Sequence, residues 1–238
     1  MKTFLLHGMG GAPSDWQAVQ KHFPAEALAL PPAPTFGFLV ETLADFLAEQ
    51  REPYGLVGYS LGGRVAIALT DALLESGKAP CRLALLGAGL GFSSEEERAE
   101  RREKDQAWAA ALRENPSAFW KRWYDQPLFA GFRRLPAETQ EAWIDSRLQM
   151  SPDALARQWE GWGPSRHPDL RPALTRIVQF GIPTLYLAGE LDTKYKLLSE
   201  ELRQDGILSQ VILGAGHLLP LEAPEAVGLA LRDFFVKE

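Results

Sequence analysis

The chain has 238 residues, 46% of them hydrophobic and 24% charged, with a net charge of −6, which suits a globular protein with one large α/β domain or a core plus an insertion. The negative balance excludes a general attraction to nucleic acid or to an anionic membrane surface. A single cysteine, Cys81, excludes a disulfide framework and makes the cytoplasm the expected compartment. No apolar run is long enough for a membrane span, and the start, Lys2 to Leu6, breaks at His7-Gly8 too early for a signal peptide.

In chain order, Phe4 to Leu6 reads as a strand and Ser14 to Phe23 as a helix with Ser14 at its N-cap. Ala27 to Leu30 is a second strand and Phe36 to Glu49 a second helix. Tyr54 to Val57 is a short buried strand, followed by a helix from Leu61 to Leu74 and a strand from Leu83 to Leu86. From 91 to 170 the pattern changes. No strand-like run occurs, and the segment holds six of the seven tryptophans (Trp108, Trp120, Trp123, Trp143, Trp159, Trp162) and ten of the seventeen arginines. Ser94-Glu95-Glu96-Glu97 resembles a capping box opening a long charged helix. The earlier alternation resumes with a strand at Thr184 to Leu187, a helix near Lys194 to Arg203, a strand at Gln210 to Leu213 and a closing helix from Pro224 to Phe235. Strands alternating with helices imply a parallel sheet covered on both faces.

Between the third strand and its helix lies Gly58-Tyr59-Ser60-Leu61-Gly62-Gly63. A serine flanked by glycines at such a junction has the form of a nucleophile elbow: a turn too tight for side chains two residues either side, presenting a hydroxyl over a helix N-terminus. A serine hydroxyl needs a histidine oriented by a carboxylate to act at neutral pH. His217 follows the last strand, and Asp192, in Gly189-Glu190-Leu191-Asp192, follows the one before, giving the order Ser, Asp, His. Glu190 is the alternative acid. His7 lies beside the Gly8-Met9-Gly10-Gly11 turn, where a structural or oxyanion-loop role fits it, whereas His22 and His167 are expected at the surface. The backbone N–H groups of Met9 and Leu61 are the expected oxyanion hole. Together these features predict an α/β-hydrolase fold, with 1–90 and 171–238 as the core and 91–170 as a helical cap over Ser60.

Arg64 stands four residues after Ser60, where a cation meets the positive end of the helix dipole. It reads either as the partner of a surface carboxylate or as an anion site beside Ser60, to which Arg98, Arg101 and Arg102 would add unless they form a solvated face.

Several segments resemble the 2-succinyl-6-hydroxy-2,4-cyclohexadiene-1-carboxylate synthase family of menaquinone biosynthesis. They are Gly58 to Ala66, Arg98 to Arg101, Trp123-Tyr124-Asp125-Gln126-Pro127-Leu128-Phe129, Pro168-Asp169-Leu170-Arg171 and Gly189 to Tyr195. The resemblance implies substrate-binding roles for Arg64, Arg101, Arg147, Tyr59 and Trp123. It also implies a lyase that eliminates pyruvate from 2-succinyl-5-enolpyruvyl-6-hydroxy-3-cyclohexene-1-carboxylate, with Ser60 as base and no metal or organic cofactor. The chain departs from the family at Leu30-Pro31-Pro32-Ala33-Pro34, and at Leu218 to Glu222, where it is closer to α/β-hydrolases in general. A carboxylesterase or thioesterase, a non-catalytic receptor on the same fold, and a partner-binding aromatic cap are the competing readings.

Overall fold

A computed structural model of the chain describes residues 1–236; the end of the core segment expected to reach 238 lies outside them. The strands are β1 (Lys2–Leu6), β2 (Glu26–Leu28), β3 (Tyr54–Tyr59), β4 (Arg82–Leu86), β5 (Thr184–Gly189) and β6 (Leu208–Ile212). They form one sheet in the order β2-β1-β3-β4-β5-β6, every neighbouring pair parallel. Parallel strands must be joined by crossovers, which here are helices: α1 (Gln17–Gln20), α2 (Phe36–Ala48), α3 (Leu61–Leu73), then α4 (Glu95–Glu114), α5 (Pro116–Tyr124), α6 (Ala137–Leu148), α7 (Pro152–Trp162) and α8 (Arg171–Gln179), and finally α9 (Thr193–Gln204); α10 (Leu219–Glu222) and α11 (Pro224–Val236) follow the last strand.

The strands read as unbroken apolar runs because both faces of the sheet are covered. Phe4, Leu6, Leu56, Leu83, Leu85 and Tyr186 join the cluster with α2, α3, α8 and α9. The alternate residues Leu5, Val57, Ala84, Leu86, Leu185 and Leu187 join the other cluster, with α1 and α11. That second cluster continues into Phe119, Trp120, Tyr124, Phe129, Phe132 and Trp159, so the aromatic residues of the 91–170 segment are continuous with the sheet's core. No strand occurs between β4 and β5, which nonetheless pair directly, Leu83 opposite Thr184.

Several boundaries differ from the sequence reading. Ser14 is not an N-cap: Pro13–Trp16 is a 3-10 turn in which the Asp15 carboxylate accepts from the Ala12 N–H, and the α-helix begins only at Gln17. The proline at 13 suits the first position of that turn, which moves the start of the helix away from Ser14. Strand β2 is shifted toward its N-terminus, and β3 runs on to Tyr59. At Ser94 half of the capping box forms, its hydroxyl accepting from the Glu97 N–H. No helix among the described residues is long and apolar enough to cross a membrane.

What positions the site is the close approach of α3 to the sheet. A Cβ at Gly58 would stand 2.3 Å from the Gly62 carbonyl oxygen, and one at Gly62 would stand 2.3 Å from the Leu6 carbonyl oxygen. Both neighbours are backbone and cannot turn aside. Gly58→Ala is therefore expected to cost about 1–3 kcal/mol of stability, measured as a lower denaturant midpoint at unchanged slope.

Candidate active site

Ser60 is the only described residue other than glycine with a positive φ (52°, ψ −107°). Its amide is tied to the Leu86 carbonyl at 2.8 Å while α3 starts at the next residue, so the strained turn is held from both sides. The hydroxyl stands at the carboxyl end of the sheet, where β1, β5 and β6 also deliver Met9, Asp192 and His217, the place where open parallel sheets bind ligands.

Ser60, His217 and Asp192 form one hydrogen-bonded line. Ser60 Oγ lies 3.2 Å from His217 Nε2, and His217 Nδ1 lies 2.7 Å from Asp192 Oδ2. A carboxylate only accepts, so Nδ1 carries the proton and Nε2 is left basic toward the hydroxyl. The other carboxylate oxygen caps α9 by accepting from the Tyr195 N–H at 3.3 Å. Glu190 is instead exposed and accepts from the Gly214 N–H at 2.8 Å, stitching the turn after β6. The His217 ring is boxed by Tyr195, Tyr59 and Phe129, with centroids 5.0, 5.5 and 5.8 Å away. Glu222 holds the loop below it, accepting from the Gly216 and Leu218 amides. Burial pushes the Tyr59 phenol well above its ordinary pKa, so it stays protonated.

A cavity of about 90 Å³ opens on Ser60 and His217. Met9 and Leu61 line it, and neither amide donates to a protein acceptor among the described residues, leaving both able to stabilise an oxygen bound there. Trp123 reaches the cavity with Tyr59, and so do Arg64, Arg101 and Arg147.

The arginines differ in their partners. Arg147 is buried in an ion pair with Asp15 at 2.8 Å and stacks over the Trp143 ring at 3.9 Å. Arg101 pairs with the buried Asp105 at 2.7 Å. Arg64 has no carboxylate partner among the described residues; its Nη1 meets His167 Nδ1 at 3.2 Å. Arg98 and Arg102 do not line the cavity. Arg98 donates to the His167 and Phe92 carbonyls and both pair with Glu95, because their positions on α4 turn them toward its N-terminal end.

Two histidines are not where the sequence suggested. His167, expected at the surface, is fully buried between Arg64 and the Trp162 carbonyl, and His22 is half-buried against α11. For His167 the cause is the cluster of aromatic and proline residues around 162–168, which folds back onto α3 and α4. His7 takes the structural role: its Nδ1 donates to the Gly8 carbonyl and its Nε2 accepts from the Leu30 N–H, joining the loops after β1 and β2. The proline-rich tract after Leu30 does not line the cavity. It docks outside α7, where Trp162 Nε1 donates to the Ala33 carbonyl at 2.7 Å. Sequence reasoning missed Asp15 and Tyr195. Tyr195 had a usable signal, standing at the third helical position after a capping aspartate; Asp15 had none, since its partner Arg147 is remote in the chain.

A tight serine turn, an ordered Ser-Asp-His line and a run of helices between β4 and β5 sit on one parallel sheet, and residues 4–228 match the pattern described as the Alpha/beta hydrolase family. The chain belongs to the alpha/beta hydrolase family. Within that family it is 33% identical, over 93% of its length and 88% of the relative's, to 2-succinyl-6-hydroxy-2,4-cyclohexadiene-1-carboxylate synthase of Salmonella agona, and equally to that of Salmonella typhimurium. Two solved structures share its fold. MenH from S. aureus superposes with a TM-score of 0.87 at 24% identity, covering 99% of this chain and 93% of that one. A thermophilic esterase from Thermogutta terrifontis, with malate bound, gives 0.76 at 24% identity, with 99% and 89% covered.

Burial holds the pKa of both His7 and His167 below the ordinary value of 6.5. An unfolded chain binds protons at these two rings below that pH while the folded chain does not, so stability is full above it and falls as pH drops. The expected slope is up to about 1.4 kcal/mol per pH unit for each ring. Denaturant midpoints measured from about pH 7 down to about pH 5 should fall, and His7→Gln should flatten the fall.

Proposed function

We propose that this chain is a carbon–oxygen lyase that eliminates pyruvate from 2-succinyl-5-enolpyruvyl-6-hydroxy-3-cyclohexene-1-carboxylate, a small anionic substrate, in the cytoplasm. The observation that carries this reading is Arg64: a nearly buried guanidinium, without a carboxylate partner among the described residues, opening on the same cavity as Ser60. A buried cation beside the positive end of a helix is costly unless an anion joins it. A substrate carboxylate is such an anion, whereas an apolar acyl chain is not.

In this reading residues 91–170 are a cap over the core residues 1–90 and 171 onward, and Ser60, His217 and Asp192 act as a base unit. His217 Nε2 takes the hydroxyl proton as the Ser60 oxygen removes the ring proton next to the succinyl carbonyl. The electron pair moves onto that carbonyl oxygen, where the Met9 and Leu61 amides stabilise it. Its return forms a double bond between ring carbons 2 and 3, shifts the existing double bond from carbons 3 and 4 to carbons 4 and 5, and breaks the carbon–oxygen bond from carbon 5 to the enolpyruvyl group. The departing enolate takes the proton from His217 and becomes pyruvate. Asp192 holds the His217 tautomer and offsets its transient charge. Arg101 and Arg147, each already paired, line the same cavity, as do Tyr59 and Trp123. At about 90 Å³ the cavity is smaller than the roughly 300–1,000 Å³ of common ligand clefts. The same line of residues serves ester hydrolysis, and the fold shared with solved esterases keeps a carboxylesterase or thioesterase as the second reading.

Ser60→Ala is expected to lower pyruvate release from the enolpyruvyl substrate by on the order of 10³-fold or more. Arg64→Ala should lower kcat/KM on that substrate roughly 10- to 150-fold, with little rescue by Arg64→Lys because an ammonium lacks the planar fork. A neutral p-nitrophenyl ester should be affected far less. Equal losses on both substrates would move the esterase reading ahead.

A further inference from the structure

The three arginines of the cavity approach it from α3, α4 and α6, and each meets a different buried acceptor. Asp105 and Asp15 are carboxylates, and they already neutralise Arg101 and Arg147. The acceptor opposite Arg64 is an imidazole. His167 Nε2 lies 2.6 Å from the Trp162 carbonyl oxygen, which can only accept, so that nitrogen carries the ring proton. The lone pair of Nδ1 then faces Arg64 Nη1 at 3.2 Å.

The ring has little freedom to do otherwise. It is 0% exposed, and the Phe36 ring lies against it with centroids 4.2 Å apart. Its own carbonyl accepts from Arg98 Nη1 at 2.6 Å. Two residues earlier, Ser165 is fixed to Asp105 through both its amide and its hydroxyl. The charged groups facing this turn are Arg64 on α3 and Arg98, Arg101 and Asp105 on α4. Burial, reinforced by the three guanidinium groups, keeps His167 neutral.

We propose that His167 is a positioning residue that fixes the Arg64 guanidinium beside Ser60 through a neutral acceptor, so that Arg64 keeps its charge for a carboxylate of the substrate. A carboxylate at 167 would orient Arg64 equally well but would neutralise it, as Asp15 does for Arg147. A hydrocarbon at 167 would leave the charge but release the fork. Only a neutral acceptor does both, and His167 thereby sets which of the three arginines grips the ligand most strongly. This rests on the reading of the cavity as an anion site and names the group that determines its selectivity.

The wild-type protein provides the first test. Nitrogen-15 correlation spectra of the histidine rings should show His167 as the Nε2–H tautomer with an unprotonated Nδ1 from about pH 8 to about pH 5. A His167 ring that gains a proton near its ordinary pKa overturns the proposal. The second test is a pair of variants. His167→Leu should lower kcat/KM on the enolpyruvyl substrate roughly 10- to 100-fold, mainly through KM. His167→Gln accepts through Oε1 and donates through Nε2, and should restore it to within about threefold of wild type. Equal losses in the two variants, or a loss confined to kcat, reject the role. If the wild type releases no pyruvate from that substrate, the lyase reading falls, but a calorimetric titration with succinate still decides about His167. Wild type and His167→Gln should then bind alike, and His167→Leu should match the weakened Arg64→Ala. Equal succinate binding by all four proteins, or none by the wild type, overturns it. Should His167→Leu fail to fold, the tautomer and the His167→Gln variant are sufficient.

Discussion

The contact of two backbones, with no side chain between them, governs the rest of this molecule. Helix α3 begins so close to β1 and β3 that a methyl group at Gly58 or Gly62 would overlap backbone atoms. That approach leaves Ser60 a single conformation, one that costs on the order of 1–3 kcal/mol for a residue with a Cβ. The surrounding sheet holds it there through the Leu86 carbonyl and through the burial of every residue of β3. The same approach points the first turn of α3 at the cavity, with free amides at its start and Arg64 on its first turn. The Ser60 turn, the placement of Arg64 and the helix entry are therefore one geometric fact.

Electrostatics then differentiate a site that is otherwise walled by aromatic rings. An acidic chain can still present a positive local field, because nearby charges dominate over net charge at contact distance and within low-dielectric surroundings. Three arginines near one cavity would repel one another. Two are neutralised by Asp15 and Asp105, and the third is left with a neutral partner. The neutralised pairs also tie distant parts of the chain together: Asp15 follows β1, and Arg147 ends α6.

Much of this was legible in the sequence because it depends on local patterns. The apolar runs gave four of the strands closely and the two edge strands, β2 and β6, a little late; the glycines around Ser60 gave the turn, and the order Ser60, Asp192, His217 gave residues that the fold brings within hydrogen-bond distance. The errors share a cause. Ser14 was misread because a proline and Asp15 create a competing turn, and β2 was placed late because a three-residue edge strand carries little periodicity. His167 was misread because its burial depends on Phe36, Arg64 and Trp162, which come from three separate elements. Arg98, Arg101 and Arg102 are near neighbours in sequence, yet only Arg101 faces the cavity, a matter of helical phase that the charge run could not reveal.

The direct pairing of β4 with β5 has a bearing on how the molecule assembles. The four strands β2, β1, β3 and β4 come from the first third of the chain and neighbour one another, so Ser60 and its turn are built from contacts available early in synthesis. Strand β5 can dock only after a loop of about a hundred residues closes, a slow step governed by chain entropy. Asp192 and His217 arrive with β5 and β6, so the Ser60 hydroxyl is in place well before the imidazole that it meets in the folded chain. A nascent chain thus carries Ser60 in its turn without His217 beside it until the last strands are added.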